Sequence, residues 1–205
     1  MEWHKDTAQL FVPDDAPAEK ALERTTHLAV AAHQDDIEIM AIDGILECFQ
    51  RTDRWFSGVV VTNGAGSPRD DIYKDYSDEE MRLIRAKEQF KAAYLGEYGA
   101  QILLDYTSSE VKDSANMNPI EDLSAIFKLT QPEVIYTHNL ADKHPTHVAI
   151  VLRTIQALRT LPTESKPKQL IGCEVWRDLD WMPDNRKVVL DVGDRDNLAA
   201  ALLGV

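Results

Sequence analysis

Cysteine is scarce in this sequence, and its scarcity excludes a disulfide-stapled scaffold. The 205 residues include only two cysteines, Cys48 and Cys173. They fall in segments that pattern as a helix and a strand, without the paired spacing of a disulfide framework or a zinc ribbon. Isolated cysteines of this kind are most often small core residues. The usage is typical of a protein kept in a reducing cytoplasm, and we expect that location.

Long apolar runs are also missing. No stretch approaches the ~20 apolar residues that a membrane-spanning helix needs, so we expect no membrane partner. The first 24 residues carry acidic side chains and two prolines, where a secretory signal would need a basic start and an unbroken apolar stretch. We therefore predict a loose N-terminal arm over residues 1–24 and a single domain over residues 25–205. The helical pattern of residues 197–205 stops with the chain, and we interpret this as a truncated C-terminus.

Positive charge is in short supply. Lysine and arginine number 22 against 35 aspartates and glutamates, which gives a formal net charge of -13. So acidic a chain disfavours binding to phosphate backbones, and we expect no nucleic-acid partner. Hydrophobic residues make up 44% and charged residues 28%, which is the balance of an ordinary globular domain. Association of identical chains into a homo-oligomer is compatible with this composition.

The sequence does contain a repeated alternation of apolar runs with helical patterns. Strands are predicted over residues 26–32, 56–62, 102–105 and 133–137, with two late strands over 173–176 and 188–192. Helices are predicted over residues 36–50, 78–95, 120–130 and 146–161, the second opened by a capping box of Ser77 and Glu80. Continuously apolar strands are typical of a parallel sheet covered on both faces. We predict an α/β, Rossmann-like fold with a mostly parallel sheet and helices on both faces.

Acidic and imidazole side chains follow two of the predicted strands. His33, Asp35 and Asp36 come directly after the first strand, and Asp142, His144 and His147 follow the fourth. In parallel sheets ligands bind outside the carboxyl ends of the strands, so both segments are candidates for a site. The aspartates alone could equally cap the helix that begins there. A His/Asp/His set, however, supplies the nitrogen and oxygen ligands that suit catalytic zinc, with a fourth position left open.

Two motifs carry a resemblance to a known family. Residues 32–38 read AHQDDIE and residues 144–147 read HPTH. They resemble the motifs A-H-P-D-D-x-E and H-P-D-H of the PIG-L/LmbE zinc N-deacetylases. Residues 62–64 (TNG) and a helix that carries Arg85 and Glu88 and ends at Leu95-Gly96 are also similar to family features. The resemblance therefore covers roughly residues 26–161 and implies an LmbE-like deacetylase domain.

The resemblance implies an activity and roles for particular side chains. The activity is removal of an N-acyl group, with acetyl favoured, from a small-molecule amino sugar or an N-acetylglucosamine-type conjugate. The expected cofactor is Zn²⁺, although other divalent metals are compatible. The implied metal ligands are His33, Asp36 and His147. Asp35 is implied as the general base, and His144 as the group that stabilises the tetrahedral intermediate or protonates the leaving amine. Arg85 and Asn63 are implied to bind substrate. A solvent-exposed helix charge is the competing interpretation of Arg85, and Glu38 is expected to form hydrogen bonds in the site wall.

The motifs depart from the family pattern at two positions. Gln34 replaces the usual proline, which removes no reactive group. Thr146 replaces the usual aspartate beside His144, an acid expected to orient and charge the imidazole, and Asp142 is a candidate to compensate. Two alternatives stay open: a weakly active or non-catalytic sugar- or metal-binding relative, and a Rossmann-like nucleotide-binding enzyme. The second is disfavoured because the first strand ends in His-Gln-Asp-Asp rather than G-x-G-x-x-G.

Overall fold

The computed structural model describes residues 2–205 as a sheet flanked by helices. The strands are β1 (Gln9–Phe11), β2 (His27–Ala31), β3 (Phe56–Thr62), β4 (Ala100–Tyr106), β5 (Val134–His138) and β6 (Gln169–Cys173). The helices are α1 (Ala18–Glu23), α2 (Asp36–Met40), α3 (Ile42–Cys48), α4 (Asp78–Leu95), α5 (Ser108–Lys112), α6 (Asn118–Thr130), α7 (Pro145–Arg159) and α8 (Asp196–Leu203). Within residues 2–205, no helix combines the length and the apolar character that a bilayer crossing requires.

The six strands form one sheet in the order β1-β4-β3-β2-β5-β6. Among the described residues 2–205, only the pairing of β1 with β4 is antiparallel, and the other four pairings are parallel. Every residue of β2 and β3 is buried, which explains why these runs are almost continuously apolar. Leu28 and Val30 share a core with α1, α5, α6 and α7, while Ala29 and Ala31 share one with α2, α3, α4 and α8. The two layers confirm the predicted α/β fold with a mostly parallel sheet and helices on both faces.

The long helix α4 begins where its sequence signal predicts. The Ser77 hydroxyl accepts a hydrogen bond from the backbone N–H of Glu80 at 3.3 Å, and the Glu80 carboxylate accepts one from the backbone N–H of Ser77 at 2.9 Å. This capping box satisfies donors that the first helical turn would otherwise leave unpaired. A second capping box, between Thr107 and Glu110, starts α5, whose five residues are too few to show a helical period.

Three predicted elements differ in the structure. The helix predicted over residues 36–50 is broken at Ala41, where the backbone departs from helical values (φ −116°, ψ 20°) to separate α2 from α3. The strand predicted over residues 173–176 lies earlier, at Gln169–Cys173, where it pairs with β5. Residues 188–192 (VVLDV) are rich in β-branched valine but form no strand, and Val188 and Val189 are each 88% exposed. A strand needs a hydrogen-bonding partner as well as a suitable sequence, and none pairs with this segment among residues 2–205.

The prediction of a loose N-terminal arm over residues 1–24 was wrong for the described residues 2–24. Strand β1 extends the sheet by pairing Leu10 with Ile102 of β4. Leu22 of α1 is buried in the core. His4 lies further out, and its Nδ1 is 2.7 Å from a carboxylate oxygen of Asp122 on α6. A short antiparallel edge strand carries too little periodicity to be seen in the sequence, which is why the segment resembled a tail.

Candidate metal centre and substrate pocket

The candidate site lies at the carboxyl ends of β2 and β5. These strands are parallel neighbours, with Val30 paired to Thr137, so the segments that follow them emerge side by side. His33 and Asp36 lie in the turn and first helical residue after β2, and His147 lies in the first turn of α7 after β5. The topology thereby joins two histidines that are 114 positions apart in the sequence.

Three side-chain atoms form a near-regular triangle. Nδ1 of His33 lies 3.3 Å from Oδ2 of Asp36 and 3.3 Å from Nε2 of His147, and that Nε2 lies 3.6 Å from the same Asp36 oxygen. Ligand atoms bound 2.0–2.2 Å from a tetrahedral zinc ion lie roughly 3.3–3.6 Å from one another. The triangle therefore has the dimensions of one face of a zinc coordination tetrahedron, and the two imidazoles and one carboxylate fit the ion.

Asp36 is a buried carboxylate, with a side chain only 1% exposed. Burial alone would raise the pKa of Asp36, but the neighbouring imidazoles of His138 and His33 hold that pKa well below its usual range. The backbone N–H of His33 also donates to Oδ2 at 2.8 Å. An ionised carboxylate with its charge directed at imidazole nitrogens is the state that a metal ligand requires.

His147 has the tautomer that a metal ligand needs. Its Nδ1 lies 3.1 Å from Oδ2 of Asp142, and because a carboxylate can only accept, Nδ1 carries the proton and Nε2 keeps its lone pair. Burial, followed by the charge of His138, lowers the pKa of His147 to about 3, so the ring is neutral near pH 7. A carboxylate that orients a histidine in this way is a common partner of metal-bound imidazole.

A second donor set, His138, Asp142 and His147, also brings its ligand atoms within 4.8 Å of one another. Nε2 of His138 and the carboxylate of Asp142 already make hydrogen bonds, however. Nε2 of His138 accepts a hydrogen bond from the backbone N–H of Ala32 at 2.8 Å, and Asp142 accepts from His147. The ring of His138 stacks on that of His147, with centroids 4.0 Å apart and planes 6° from parallel. His138 therefore supports the set formed by His33, Asp36 and His147 rather than competing with it.

Asp35 points away from this triangle because its backbone is left-handed, with φ 74°. Its side chain is 41% exposed and borders the cavity, and Oδ2 accepts a hydrogen bond from Nη2 of Arg85 at 2.7 Å. Gln89 holds the same residue from behind, by accepting its backbone N–H at 3.3 Å. A non-glycine residue in this conformation is strained, and such strain persists only where contacts enforce it.

Arg85 is not a solvated helix charge. Its side chain is 17% exposed and donates to the backbone carbonyl of Gln34 at 2.9 Å and to Glu88 at 2.7 Å, besides Asp35. Arg82, one turn earlier, pairs instead with Glu79 and Asp105. The competing interpretation of Arg85 as an exposed charge was therefore wrong, whereas its role toward substrate stays a prediction.

A cavity of about 650 Å³ opens over the triangle. Its lining includes the side chains of His33, Asp35, Asn63, Arg85, His144 and Trp176. Gly64 sits in its wall with φ 68°, and a Cβ there would lie 2.4 Å from the amide oxygen of Gln34. The turn after β3 therefore requires glycine. The cavity volume is within the range of small-molecule sites.

His144 caps α7 with its side chain. Nδ1 accepts the backbone N–H of Thr146 at 3.2 Å, so in the neutral ring the proton lies on Nε2. Burial and the neighbouring His33 lower the pKa of His144. Asp142 accepts the backbone N–H of His144 at 2.7 Å and turns its other oxygen to His147. The hypothesis that Asp142 replaces the missing acid at the His144 ring was therefore wrong. Asp142 makes its side-chain hydrogen bond to His147, and it acts on the His144 ring only by its negative charge.

Glu38 forms the expected hydrogen bonds, but behind the site. Its carboxylate accepts from the Tyr98 hydroxyl at 2.7 Å and from the Gln89 amide at 2.8 Å. Burial raises the pKa of Glu38 to about 7, against these hydrogen bonds. Because Gln89 also holds the backbone of Asp35, this polar cluster braces the left-handed turn.

Two residues of the site escaped the sequence analysis as functional candidates. His138 could have been found, since it is an imidazole at the end of a predicted strand. Trp176 could not, because it belongs to no motif and follows a strand whose position was wrongly predicted. Its indole N–H donates to Oδ1 of Asp36 at 3.1 Å.

A sequence profile of the PIG-L family, described as GlcNAc-PI de-N-acetylase, matches residues 28–158. No curated protein sequence is significantly similar to the chain.

Several solved structures have the same fold. N,N'-diacetylchitobiose deacetylase from Pyrococcus horikoshii, in complex with an inhibitor, has a TM-score of 0.67 and 17% identity over 93% of this chain and 73% of its own. The 4-carboxy-2-hydroxymuconate hydratase from Pseudomonas putida has a TM-score of 0.66 and 17% sequence identity, over 87% of this chain and 77% of its own. A zinc-inhibited form of teicoplanin deacetylase has a TM-score of 0.61 and 13% sequence identity, over 88% of this chain and 83% of its own. At such identities the likeness establishes the fold alone.

Proposed function

From the premise that the chain belongs to the PIG-L, GlcNAc-PI de-N-acetylase family, we propose that it is a metal-dependent N-deacetylase of an amino sugar or sugar conjugate. The observation that carries the proposal is the triangle of His33, Asp36 and His147 atoms, set beside the cavity-facing carboxylate of Asp35. Amide hydrolysis needs a polarised carbonyl, a base for water and a donor for the oxyanion. The geometry supplies candidates for all three.

Zinc held by the three ligands would act as a Lewis acid toward the amide carbonyl and lower the pKa of water. The Asp35 carboxylate takes the proton from the attacking water, because it faces the cavity while Asp36 is turned inward. The Nε2–H of His144 donates a hydrogen bond to the developing oxyanion, and the proton that Asp35 takes from water passes to the leaving nitrogen as the C–N bond breaks. Arg85 holds Asp35 in place through its 2.7 Å hydrogen bond.

Two observations support the substrate class. The cavity is about 650 Å³ and carries polar groups such as Asn63 and Arg85 in its wall, as a sugar hydroxyl array requires. One structural neighbour is a deacetylase of N,N'-diacetylchitobiose, an acetylated amino sugar. Another neighbour is a hydratase, so the fold by itself does not select the reaction. The family match and the placement of Asp35 favour deacetylation.

The experiment measures free amine and acetate released by the zinc-loaded protein from N-acetylglucosamine, N,N'-diacetylchitobiose and a non-sugar amide, N-acetylethanolamine. We expect amine and acetate in equal amounts from the sugars, with loss of activity on chelation and recovery with zinc. Asp35→Asn is the matched control for hydrolysis by contaminating enzymes. Binding of one equivalent of zinc without amine release would instead favour a weakly active or non-catalytic relative. The observation behind that alternative is that position 146 carries threonine instead of the family's aspartate.

A further inference from the structure

The loop after β6 (residues 174–181, the β6 loop) reaches back to the candidate metal ligands. The indole N–H of Trp176 donates to Oδ1 of Asp36 at 3.1 Å. Oδ2 of Asp178 lies 3.4 Å from Nδ1 of His147. One loop therefore contacts two of the three candidate ligands. It lies outside residues 28–158, which the family profile matches.

The β6 loop is anchored at several points along its length. Val175 and Leu179 are buried, with exposures of 0% and 4%. Trp181 donates its indole N–H to the backbone carbonyl of Ala141 at 3.2 Å. The buried side chains of Val175 and Leu179 attach the loop to the core on both sides of Trp176, so its indole is presented from a support that does not depend on the peripheral Trp181 contact.

The backbone at Trp176 is strained. Trp176 and Arg177 are two consecutive non-glycine residues with positive φ, at 53° and 62°. Residues other than glycine rarely adopt this backbone conformation, and two in succession persist only where surrounding contacts hold them. The same residue makes the loop's contact to Asp36, so the strained point and the contact with the ligand coincide.

The hydrogen bond acts on the orientation of the carboxylate. Oδ2 of Asp36 faces the imidazoles of His33 and His147, and Oδ1 accepts the hydrogen bond from the indole N–H of Trp176. A donor on Oδ1 fixes the rotation of the carboxylate and keeps Oδ2 directed at the metal position. Partners that orient a ligand in this way typically contribute 10- to 100-fold to metal affinity.

We propose that Trp176 is a positioning residue that orients Asp36 toward the metal, and that the β6 loop is thereby part of the metal centre. The inference rests on the proposed function only in taking His33, Asp36 and His147 as the ligands. Trp176 is 60% exposed and is not part of the hydrophobic core. We therefore expect its substitution to leave the fold intact.

The test compares the zinc affinity of Trp176→Phe with that of Trp181→Phe, measured by competition with a chromophoric chelator. Trp181 is a matched control: it lies in the same loop, is 59% exposed, and donates to a backbone carbonyl away from the ligands. We expect Trp176→Phe to weaken zinc binding by about 10-fold or more and Trp181→Phe to leave it within about twofold. Trp176→Leu should match Trp176→Phe, because neither replacement side chain can donate a hydrogen bond to Asp36.

Deacetylation gives an independent readout. If Trp176 acts by positioning Asp36, excess zinc should restore most of the kcat of Trp176→Phe, whereas a loss of fold would not respond to zinc. Equal zinc affinity in wild type and Trp176→Phe would overturn the inference. A wild type that binds zinc but releases no amine would contradict the proposed function alone, and a wild type that binds no zinc would overturn both.

Discussion

At the residue scale, two adjacent aspartates have opposite surroundings because of one backbone turn. Asp35 is left-handed and its side chain is 41% exposed, while the side chain of Asp36 is 1% exposed and directed at imidazoles. The motif resemblance predicted the different roles of the two carboxylates. It could not predict the contacts that separate them, because Gln89 and Trp176 lie on other elements and only the fold brings them near.

Asp35→Asn should leave zinc content unchanged and reduce deacetylation by about 10²- to 10⁴-fold, because a carboxamide cannot accept the proton of water. The measurement is metal content by elemental analysis together with kcat on N-acetylglucosamine. Parallel loss of metal and activity would make Asp35 a ligand or a structural residue and remove it from the role of base.

Arg85→Ala should lower kcat by about tenfold, equivalent to about 1.4 kcal/mol of barrier, besides raising KM. The sequence alone favours an effect mainly on KM, through substrate hydroxyls. The 2.7 Å hydrogen bond from Arg85 to Asp35 adds an effect on the base itself. Arg82→Ala is the control, since Arg82 pairs with Glu79 and Asp105 instead. A raised KM with wild-type kcat would restrict Arg85 to substrate binding.

At the scale of elements, the sequence predicted well those that carry their own signal. Strand β3 matches its predicted bounds, and α4 begins at the capping box of Ser77. The failures are elements that depend on partners far away in the chain. Strand β1 exists because β4 offers an edge, and residues 188–192 form no strand because no partner is beside them in residues 2–205. Local patterns report propensity, and pairing decides the outcome.

The N-terminal segment should be held more firmly in mild acid. A hydrogen bond to Asp122 is the main cause that raises the pKa of His4, with Glu121 contributing, against a smaller opposing effect of burial. A raised folded-state pKa means that the stabilisation is complete below the unfolded value of about 6.5 and is lost as pH rises through the folded value. We therefore expect the free energy of unfolding to fall between pH 6 and pH 8 partly through His4.

The measurement is urea unfolding of wild type and His4→Gln at both pH values. The difference in free energy of unfolding between the two proteins should be larger at pH 6 than at pH 8, and comparing them at each pH cancels the titration of all other groups. Because the His4 side chain is 37% exposed, solvent screens the interaction and the effect should be small. A difference independent of pH would show that the ion pair does not form in solution.

At the scale of the whole molecule, the parallel sheet assembles the site. Since β2 and β5 are neighbours, their carboxyl ends bring His33 and Asp36 next to His147, 114 positions after His33. The rule that ligands bind at such strand ends located both segments from the sequence. The spacing of the three ligand atoms and the contribution of the β6 loop required the structure, because side-chain separations of 3.3–3.6 Å depend on packing that no motif encodes.

The most direct test of the account is the zinc content and amine release of wild type and His147→Ala, measured on the same samples. The account predicts one zinc per wild-type chain with release of amine and acetate from an N-acetylated amino sugar, and little zinc and no release in His147→Ala, because a buried imidazole has been taken from a three-ligand site. Full zinc occupancy in His147→Ala, or hydrolysis that continues without the metal, would contradict it.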